Sequence, residues 1–515
     1  MAVLSIADIV QWIAQAAPNG ALASDSRRVK AGDVFFAYPG DAGDGRDFIR
    51  AAVEQGAAAV VYDPHAFAWD QSMSVPHLAV EQLKAGAGAI AHAVHGQPDS
   101  AMFTVGVTGT NGKTSIAVWL GQALARLGET AAVIGTLGVG LFKGRAEAVF
   151  DVTGYTTPDA VLLAEKLKGV RDAGATALAI EVSSIGLVQG RTLGMHFDVA
   201  VFTNLTRDHL DFHGDMASYE AAKIKLFEWP GLKTAVVNLD DEAGLRLIAH
   251  LRAQHAQVAV TGYTLQDAAA LADIDGVAML RASQFRSKNA GTDFHVESTL
   301  GGATVKTALV GHFNVSNALA VLGTLLARGV ALRAAVEALE ALTPAPGRME
   351  QVGRASGQDL PMVVVDYAHT PDALEKTLGA LKQVAAERGG QLWCVFGCGG
   401  DRDPGKRPQM GAIAQMAEHV LVTSDNPRSE EPAAIIADIV AGMDVHRADS
   451  SMQAVEDRAA AILLAIKHAG KADVILLAGK GHEPYQEIKG RKMAFSDAEH
   501  AALALAARAT MLRTN

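Results

Sequence analysis

Three glycines, a lysine and a threonine converge in Thr104-Val-Gly-Val-Thr-Gly-Thr-Asn-Gly-Lys-Thr-Ser115. A β-branched run enters the stretch, and apolar residues at Ile116, Leu120, Ala123, Leu124 and Leu127 follow at helical spacing. Strand, glycine loop and helix with Gly-Lys-Thr at the junction form a polyphosphate cradle. The N–H groups of Gly109, Thr110, Asn111 and Gly112 face the phosphates together with the positive helix end. Lys113 reaches the outer phosphates, the Thr114 hydroxyl offers itself to Mg²⁺, and Ser115 closes the segment. Strict spacing asks for glycine at position 107; this chain has Val107, with Gly106 one position early.

Other chemistry-bearing residues lie downstream. Ala177-Leu-Ala-Ile-Glu181 is an apolar run closed by a carboxylate, which is costly unless paired or metal-bound. Glu181 is therefore a candidate Mg²⁺ ligand, with a strand-end ion pair as the alternative. His209 and His213 have a His-x-x-x-His spacing that zinc uses, but no third ligand is evident; one imidazole assisting Mg²⁺ is the preferred reading. Lys223 and Lys225 read as the solvated face of an amphipathic helix, and Asp425-Asn-Pro-Arg428 reads by itself as a turn.

The elements that must position these groups follow an alternating pattern. Ala131–Gly135, Ala177–Val182, Val199–Thr203 and Ala235–Asn238 read as short buried strands separated by helices at Asp159–Ala173 and Ser218–Glu228. This implies an α/β fold with a parallel sheet covered on both faces. Residues 256–310 read as β-rich with a turn at Gly301-Gly302. Thr343-Pro-Ala-Pro-Gly-Arg348 reads as a rigid joint before a second, Rossmann-like doubly wound region. Three domains are expected: 1–98, a central P-loop-type 99–342, and 343–515.

Composition excludes several classes. A net charge of -11 without basic runs argues against nucleic acid. Cys394 and Cys398 make no disulfide framework. No basic leader or membrane-length apolar run is present, so a cytoplasmic monomer is expected.

At this point the chain resembles the Mur ligases, ATP-dependent amide-forming enzymes of peptidoglycan precursor synthesis. Gly109 to Thr114 is similar to their phosphate loop, displaced glycine included. Glu181-Val-Ser-Ser, Asn204 to Asp211, Tyr219-Glu-Ala-Ala-Lys223, His312 to Asn317 and Pro346-Gly-Arg348 follow in the family's order. The resemblance implies ATP contacts from Asn317 and Arg348, and two Mg²⁺ ions held by Thr114, Glu181, His209 and Lys223. Lys223 would be carbamylated to N6-carboxylysine. It places Lys113, Lys223, His209 and Glu181 in the catalytic set.

Within the family, Asp425-Asn-Pro-Arg428 resembles the segment of members that add meso-diaminopimelate to UDP-N-acetylmuramoyl-L-alanyl-D-glutamate. A distal ammonium and carboxylate need an acid and an arginine together. The resemblance implies Arg402, Asp425, Asn426, Pro427, Arg428, Gly479 and Glu483 for that amino acid. It implies Ser24, Ser26, Asp41, Ala42, Gly43, Thr156, Thr157, Ser183, Gln189 and Arg191 for the uridine-linked dipeptide. Asp366-Tyr-Ala-His369-Thr-Pro-Asp372 is similar to a segment at the inter-domain cleft. Ile185 and Asp41-Ala42 depart from residues common in relatives, His and His-Gln. The alternatives are the same reaction with L-lysine, a folylpolyglutamate synthase-like ligase, and a P-loop ATPase that forms no bond.

Overall fold

Apolar runs of four to six residues alternate with amphipathic helices along most of the chain, and each run becomes a buried strand. The computed structural model describes residues 4–40, 43–266, 276–288, 291–353, 360–444, 446–447 and 449–514. Three sheets carry three domains. In the first, Leu22–Ala23, Val34–Ala37, Ala59–Tyr62 and His77–Ala79 are parallel neighbours in that order. The helix Ile6–Ala16 begins at a capping box made by Ser5 and Asp8, and buries Ile9 and Ile13.

The central sheet has eleven strands. At its middle, Thr234–Asn238, Val199–Phe202, Phe103–Thr108, Ala177–Glu181 and Thr130–Gly135 lie side by side, all parallel. Helices Lys113–Arg126 and His312–Ala327 cover one face with an almost unbroken apolar surface, including Trp119, Leu120, Leu319 and Leu322. Both edges depart from the all-parallel expectation. Val277–Lys288, Gly291–Ser298 and Gly301–Thr307 pair antiparallel at one edge, as do Thr130–Gly135, Gly138–Lys143 and Phe150–Asp151 at the other. Short loops join these strands, and a short loop returns the chain antiparallel. The expected turn at Gly301-Gly302 falls two residues earlier; both glycines begin a strand.

The third sheet orders Glu350–Val352, Met362–Asp366, Val474–Ala478, Leu392–Phe396, His419–Val422 and Ser451–Ala454, with only the first pair antiparallel. No helix among the described residues is long and apolar enough to cross a membrane.

Candidate active site

The strand Phe103–Thr108 ends in the loop Gly109–Gly112, which opens the helix Lys113–Arg126. Neighbouring strand ends hold the loop from one side. Thr203 Oγ1 donates to Asn111 O at 2.6 Å, Asn204 Oδ1 accepts from Asn111 N at 2.9 Å, and Asn204 O accepts from Thr110 N at 2.9 Å. Gly109 has φ +145, and a Cβ there would lie 1.8 Å from Thr203 Oγ1, so only glycine lets the loop pass this strand end. Thr110 Oγ1 is 3.1 Å from the Tyr219 hydroxyl, and Asn317 packs against Gly112. Ser115 is buried in the first helical turn.

Lys113 Nζ donates to Gly109 O and Thr110 O, each at 2.8 Å. Lys223 Nζ donates to the same Gly109 O at 2.9 Å. Lys223 is thus buried, 2% exposed, against the expectation of a solvated face; Lys225 is the exposed one. Tyr219, one turn earlier, covers Lys223 with its ring at 4.3 Å. Sharing one acceptor keeps the two nitrogens within about 6 Å, where like charges repel by roughly 3 kcal/mol at an effective dielectric near 20. Burial, and then Lys113, push the Lys223 amine well below its ordinary value; Asp208 only partly opposes them. Burial also lowers Lys113, which Glu181 and Asp208 counter.

Glu181 is 1% exposed. Its Oε2 accepts from Thr114 Oγ1 at 3.0 Å and Thr136 Oγ1 at 3.2 Å, and its Oε1 accepts from Thr136 N at 2.8 Å. It makes no ion pair among the described residues, so the strand-end ion-pair alternative falls. A buried carboxylate met only by hydroxyls and one N–H beside a phosphate loop fits a divalent cation. His209 is half-buried with a backbone φ of +54, its Nε2 3.4 Å from Asp208. Burial lowers it despite Asp208, which favours the neutral, ligating imidazole. His213 instead meets Ser184 Oγ at 2.9 Å. Among the described residues, three His, Cys, Asp or Glu side chains converge only at Glu228, His250 and His255, none of them in the expected metal set.

Arg348, in the joint before the third domain, donates from Nη2 to Thr114 Oγ1 at 3.0 Å and lies 4.4 Å over the Tyr367 ring. Its Nε is buried without a hydrogen-bond partner, a donor suited to an anion. Asn111 Nδ2 reaches Asp372 at 3.0 Å, and Arg207 reaches Asp403 at 3.2 Å. The third domain therefore touches the phosphate loop directly. Burial raises Asp208, but His369, His209, Lys406 and Lys113 outweigh it and hold the carboxyl low. Sequence reading had Asp208 within a motif but assigned it no role, because two of these four cations come from another domain.

The dipeptide candidates cluster beside Glu181. Thr157 Oγ1 is 2.9 Å from Glu181 O and 3.1 Å from Ser183 Oγ, and Thr156 meets Thr136 at 3.1 Å. Arg191 donates to Thr157 O and to Gln189 Oε1, each at 2.7 Å. Ser24 bridges the domains through Asp159 at 2.7 Å. Ser26 is buried in a short turn, and Gly43 O accepts from Gly40 N at 2.8 Å. Asp41 and Ala42 lie outside the described residues. Ile185 is half-buried in the helix Ser184–Val188.

The amino-acid candidates follow the carboxyl ends of parallel strands in the third sheet, where such sheets bind ligands. Asn426 Nδ2 donates to Glu483 Oε2 at 2.7 Å, and Arg428 Nη1 donates to Gly400 O at 2.6 Å. Burial raises the Asp425 carboxyl, with Lys480 opposing. Pro427 sits between Asn426 and Arg428, its carbonyl against Gly400; Gly479 packs against Asp425; Arg402 is exposed. Lys480, absent from the expected set, is fully buried among Asp425, Asn426 and Glu483. A cavity of about 410 Å³ opens elsewhere, beside Gln122, Arg126, Phe142 and Thr343, and none of the candidate residues lines it.

Comparison with known proteins agrees with this layout. Residues 21–95 match the model of the Mur ligase family catalytic domain, 107–325 the Mur ligase middle domain, and 347–481 the Mur ligase glutamate ligase domain. The UDP-N-acetylmuramoyl-L-alanyl-D-glutamate–2,6-diaminopimelate ligase of Janthinobacterium sp. (strain Marseille) is 61% identical, over 98% of this chain and 97% of that one. The enzyme of the same name from Ralstonia nicotianae is 52% identical, over 98% and 96%. A solved structure with that name is 36% identical and superposes with a TM-score of 0.64 over 95% of both chains. With three family domains matched in order and identity running along nearly the full length, the chain belongs to the Mur ligase family.

Proposed function

We propose that this protein is an ATP-dependent ligase that adds meso-diaminopimelate to the D-glutamate of UDP-N-acetylmuramoyl-L-alanyl-D-glutamate, in peptidoglycan precursor synthesis. The observation that carries the reading is the segment Asp425 to Arg428, in which Asn426 meets Glu483 and Arg428 meets Gly400 O and Glu487, in a domain whose Asp372 reaches the phosphate loop. An arginine and an acid set fit the distal carboxylate and ammonium of diaminopimelate; L-lysine has no distal carboxylate, and would leave Arg428 with only Gly400 O and Glu487, 3.7 Å away. The relatives' printed names point to the same substrates.

In this reading ATP lies on residues 109–115, with its phosphates met by Lys113, the N–H groups at the start of the helix and Arg348, because Asn204 already takes the Thr110 and Asn111 N–H groups. Asn317 borders the nucleotide. Thr156, Thr157, Ser183, Gln189 and Arg191 orient the dipeptide, and Ser24, Ser26 and residues 41–43 hold its uridine end. The γ-carboxylate of D-glutamate attacks the γ-phosphorus of ATP, ADP leaves, and an acyl phosphate forms. The amine of diaminopimelate, held by Arg402, Asp425, Asn426, Arg428 and Glu483, attacks the acyl carbon. Loss of a proton and of phosphate leaves the amide. Catalysis is mostly positioning and charge neutralisation in a closed cleft.

Two Mg²⁺ ions, held by Thr114, Glu181, His209 and carbamylated Lys223, supply charge neutralisation to the phosphates. Burial and Lys113 lower the Lys223 amine, which favours carbamate formation, because only an unprotonated nitrogen attacks CO₂, releasing a proton as N6-carboxylysine forms. The protein is read as acting as a monomer.

Phosphate release measured with ATP, the UDP-linked dipeptide and a panel of amino acids tests the reading. Turnover should need all three substrates and favour meso-diaminopimelate over L-lysine. A preference for lysine, or equal ATP hydrolysis without the dipeptide, would overturn it.

A further inference from the structure

Lys480 stands between Gly479 and Gly481, and none of its surface is exposed. Its ammonium lies 3.1 Å from Asn426 Oδ1, 3.1 Å from Glu483 Oε2 and 3.5 Å from Asp425 Oδ1. The backbone is built to put it there. Gly479 has φ +106, and a Cβ on it would lie 2.8 Å from Asp425 Oδ2, so the chain passes directly against that carboxylate. Just before it, Ala478 O accepts from Arg458 Nη2 at 2.8 Å.

The ammonium and the Glu487 N–H together fix how Asn426 faces. Asn426 Oδ1 accepts from Lys480 and, at 2.9 Å, from Glu487 N. A flipped amide would aim its NH₂ group at two donors, so the observed orientation is the only satisfied one. In that orientation Nδ2 donates to Glu483 Oε2 at 2.7 Å. Both inward contacts therefore fall on Oε2. Among the described residues Glu483 Oε1 accepts only a long, 3.4 Å hydrogen bond from the Tyr367 hydroxyl.

Charge counting gives the same answer. Asp425 and Glu483 bring two negative charges, and Lys480 cancels one. The nearby Arg458 offers little to the count, because Asp497 pairs with it through two hydrogen bonds of 2.7 and 2.6 Å, both side chains being fully buried. Around them stand Tyr485, whose ring is 5.8 Å from the Lys480 ammonium, Tyr367 with Arg348 and His482 against its ring, and Arg428 paired with Glu487 at 3.7 Å. Asp425, Glu483 and Lys480 by themselves sum to one negative charge, and Arg428 is balanced by Glu487.

We propose that Lys480 is a positioning residue that matches this pocket to a single substrate ammonium, by neutralising one of the two carboxylates and turning Asn426 so that Glu483 Oε1 is left for the amino acid. The inference rests on the reading of residues 402–483 as the diaminopimelate pocket. Removing the cation leaves two neighbouring carboxylates, which cannot both stay ionised easily; one takes up a proton that the incoming ammonium must then displace.

The experiment compares Lys480→Met and Lys480→Ala with the unaltered enzyme, measuring kcat and KM for each substrate across pH 6–9. Lys480→Met should raise the KM for meso-diaminopimelate by at least ~10-fold. The KM for ATP and for the UDP-linked dipeptide should stay within twofold. The acid limb of kcat/KM for the amino acid should move to higher pH. Methylammonium chloride should restore part of kcat/KM in Lys480→Ala, by occupying the vacated space, and should leave the unaltered enzyme unchanged. An unchanged diaminopimelate KM and pH profile in Lys480→Met would overturn the inference. So would equal losses for all three substrates with no methylammonium rescue, which mark a merely structural lysine. If the unaltered enzyme does not use diaminopimelate at all, the functional reading itself fails and this inference with it.

Discussion

At the residue scale, Lys223 is the most informative side chain. Its amine is buried, shares Gly109 O with Lys113 and is pushed well below its ordinary value of 10.5. A lysine held below its ordinary value binds its proton more weakly in the native state than in the unfolded chain. It therefore subtracts stability at every pH between its lowered native value and 10.5, and the loss fades as pH approaches 10.5. In carbonate-free buffer, Lys223→Met should melt no lower than the unaltered protein at pH 7, with any gain shrinking as pH rises. Its ligase activity should fall by about 10²-fold or more, as expected when a charge-stabilising group is removed. Added bicarbonate should raise the activity of the unaltered enzyme and not that of the variant. A variant with full activity would remove Lys223 from the mechanism.

At the element scale, the phosphate loop is shaped by its neighbours as much as by its own glycines. The strand Val199–Phe202 delivers Thr203 and Asn204, whose hydrogen bonds hold Asn111 and Thr110. Thr203→Val removes the 2.6 Å donor to Asn111 O while keeping the side-chain shape. A hydrogen bond of this kind contributes about 1 kcal/mol, so the KM for ATP should rise roughly fivefold with the fold intact by circular dichroism. Gly109→Ala should be far more severe, because a methyl group 1.8 Å from Thr203 Oγ1 must displace the loop or the strand end. Isothermal titration should detect no ATP binding to that variant.

At the scale of the whole molecule, two sets of contacts join domains. Between the first and second, Asp99 accepts from His92 at 3.1 Å and from His196 at 2.9 Å, while His196 also faces Asp198, which Lys233 pairs at 2.6 Å. Hydrogen bonds to Asp198 and Asp99 raise His196 to about 9, against partial burial. A raised histidine contributes its full stability below its unfolded value of 6.5 and loses it as pH rises through about 9. His196→Gln should therefore lower the melting temperature at pH 6 by ~2–4 °C, a difference that disappears by pH 10 in differential scanning fluorimetry.

Between the second and third domains, Asp372 and Asp403 anchor the cleft. Arg207 is largely exposed, so its pair with Asp403 is worth at most about 1 kcal/mol, and Asp403→Ala should change activity less than about fivefold. Asn111–Asp372 is partly buried and touches the phosphate loop itself. Asp372→Ala should leave the closed cleft leaky, giving phosphate release in excess of amide product. A product-to-phosphate ratio of one in that variant would show that this contact does not govern closure.

Much of the site was legible because its segments are local. The strand, loop and helix around Lys113 and the apolar run ending in Glu181 are each written in a few adjacent residues. Spacing alone misread Lys223 as a solvated lysine, because helical period says which residues share a face and not what covers that face; here Tyr219 and the phosphate loop do. The antiparallel sheet edges escaped for a related reason: short apolar runs carry no mark of their direction.

What the sequence determined by itself was the set of local units and the family they resemble, since turn chemistry and apolar period depend on near neighbours. Tertiary structure alone decided that Ala177–Glu181 and Val199–Phe202 flank Phe103–Thr108, which puts Glu181 and Asn204 on either side of one loop. It alone set Lys480 between Asp425 and Glu483, and Arg348 and Asp372 against the phosphate loop. Those pairings span up to 261 residues, and strand order and domain packing bring them together.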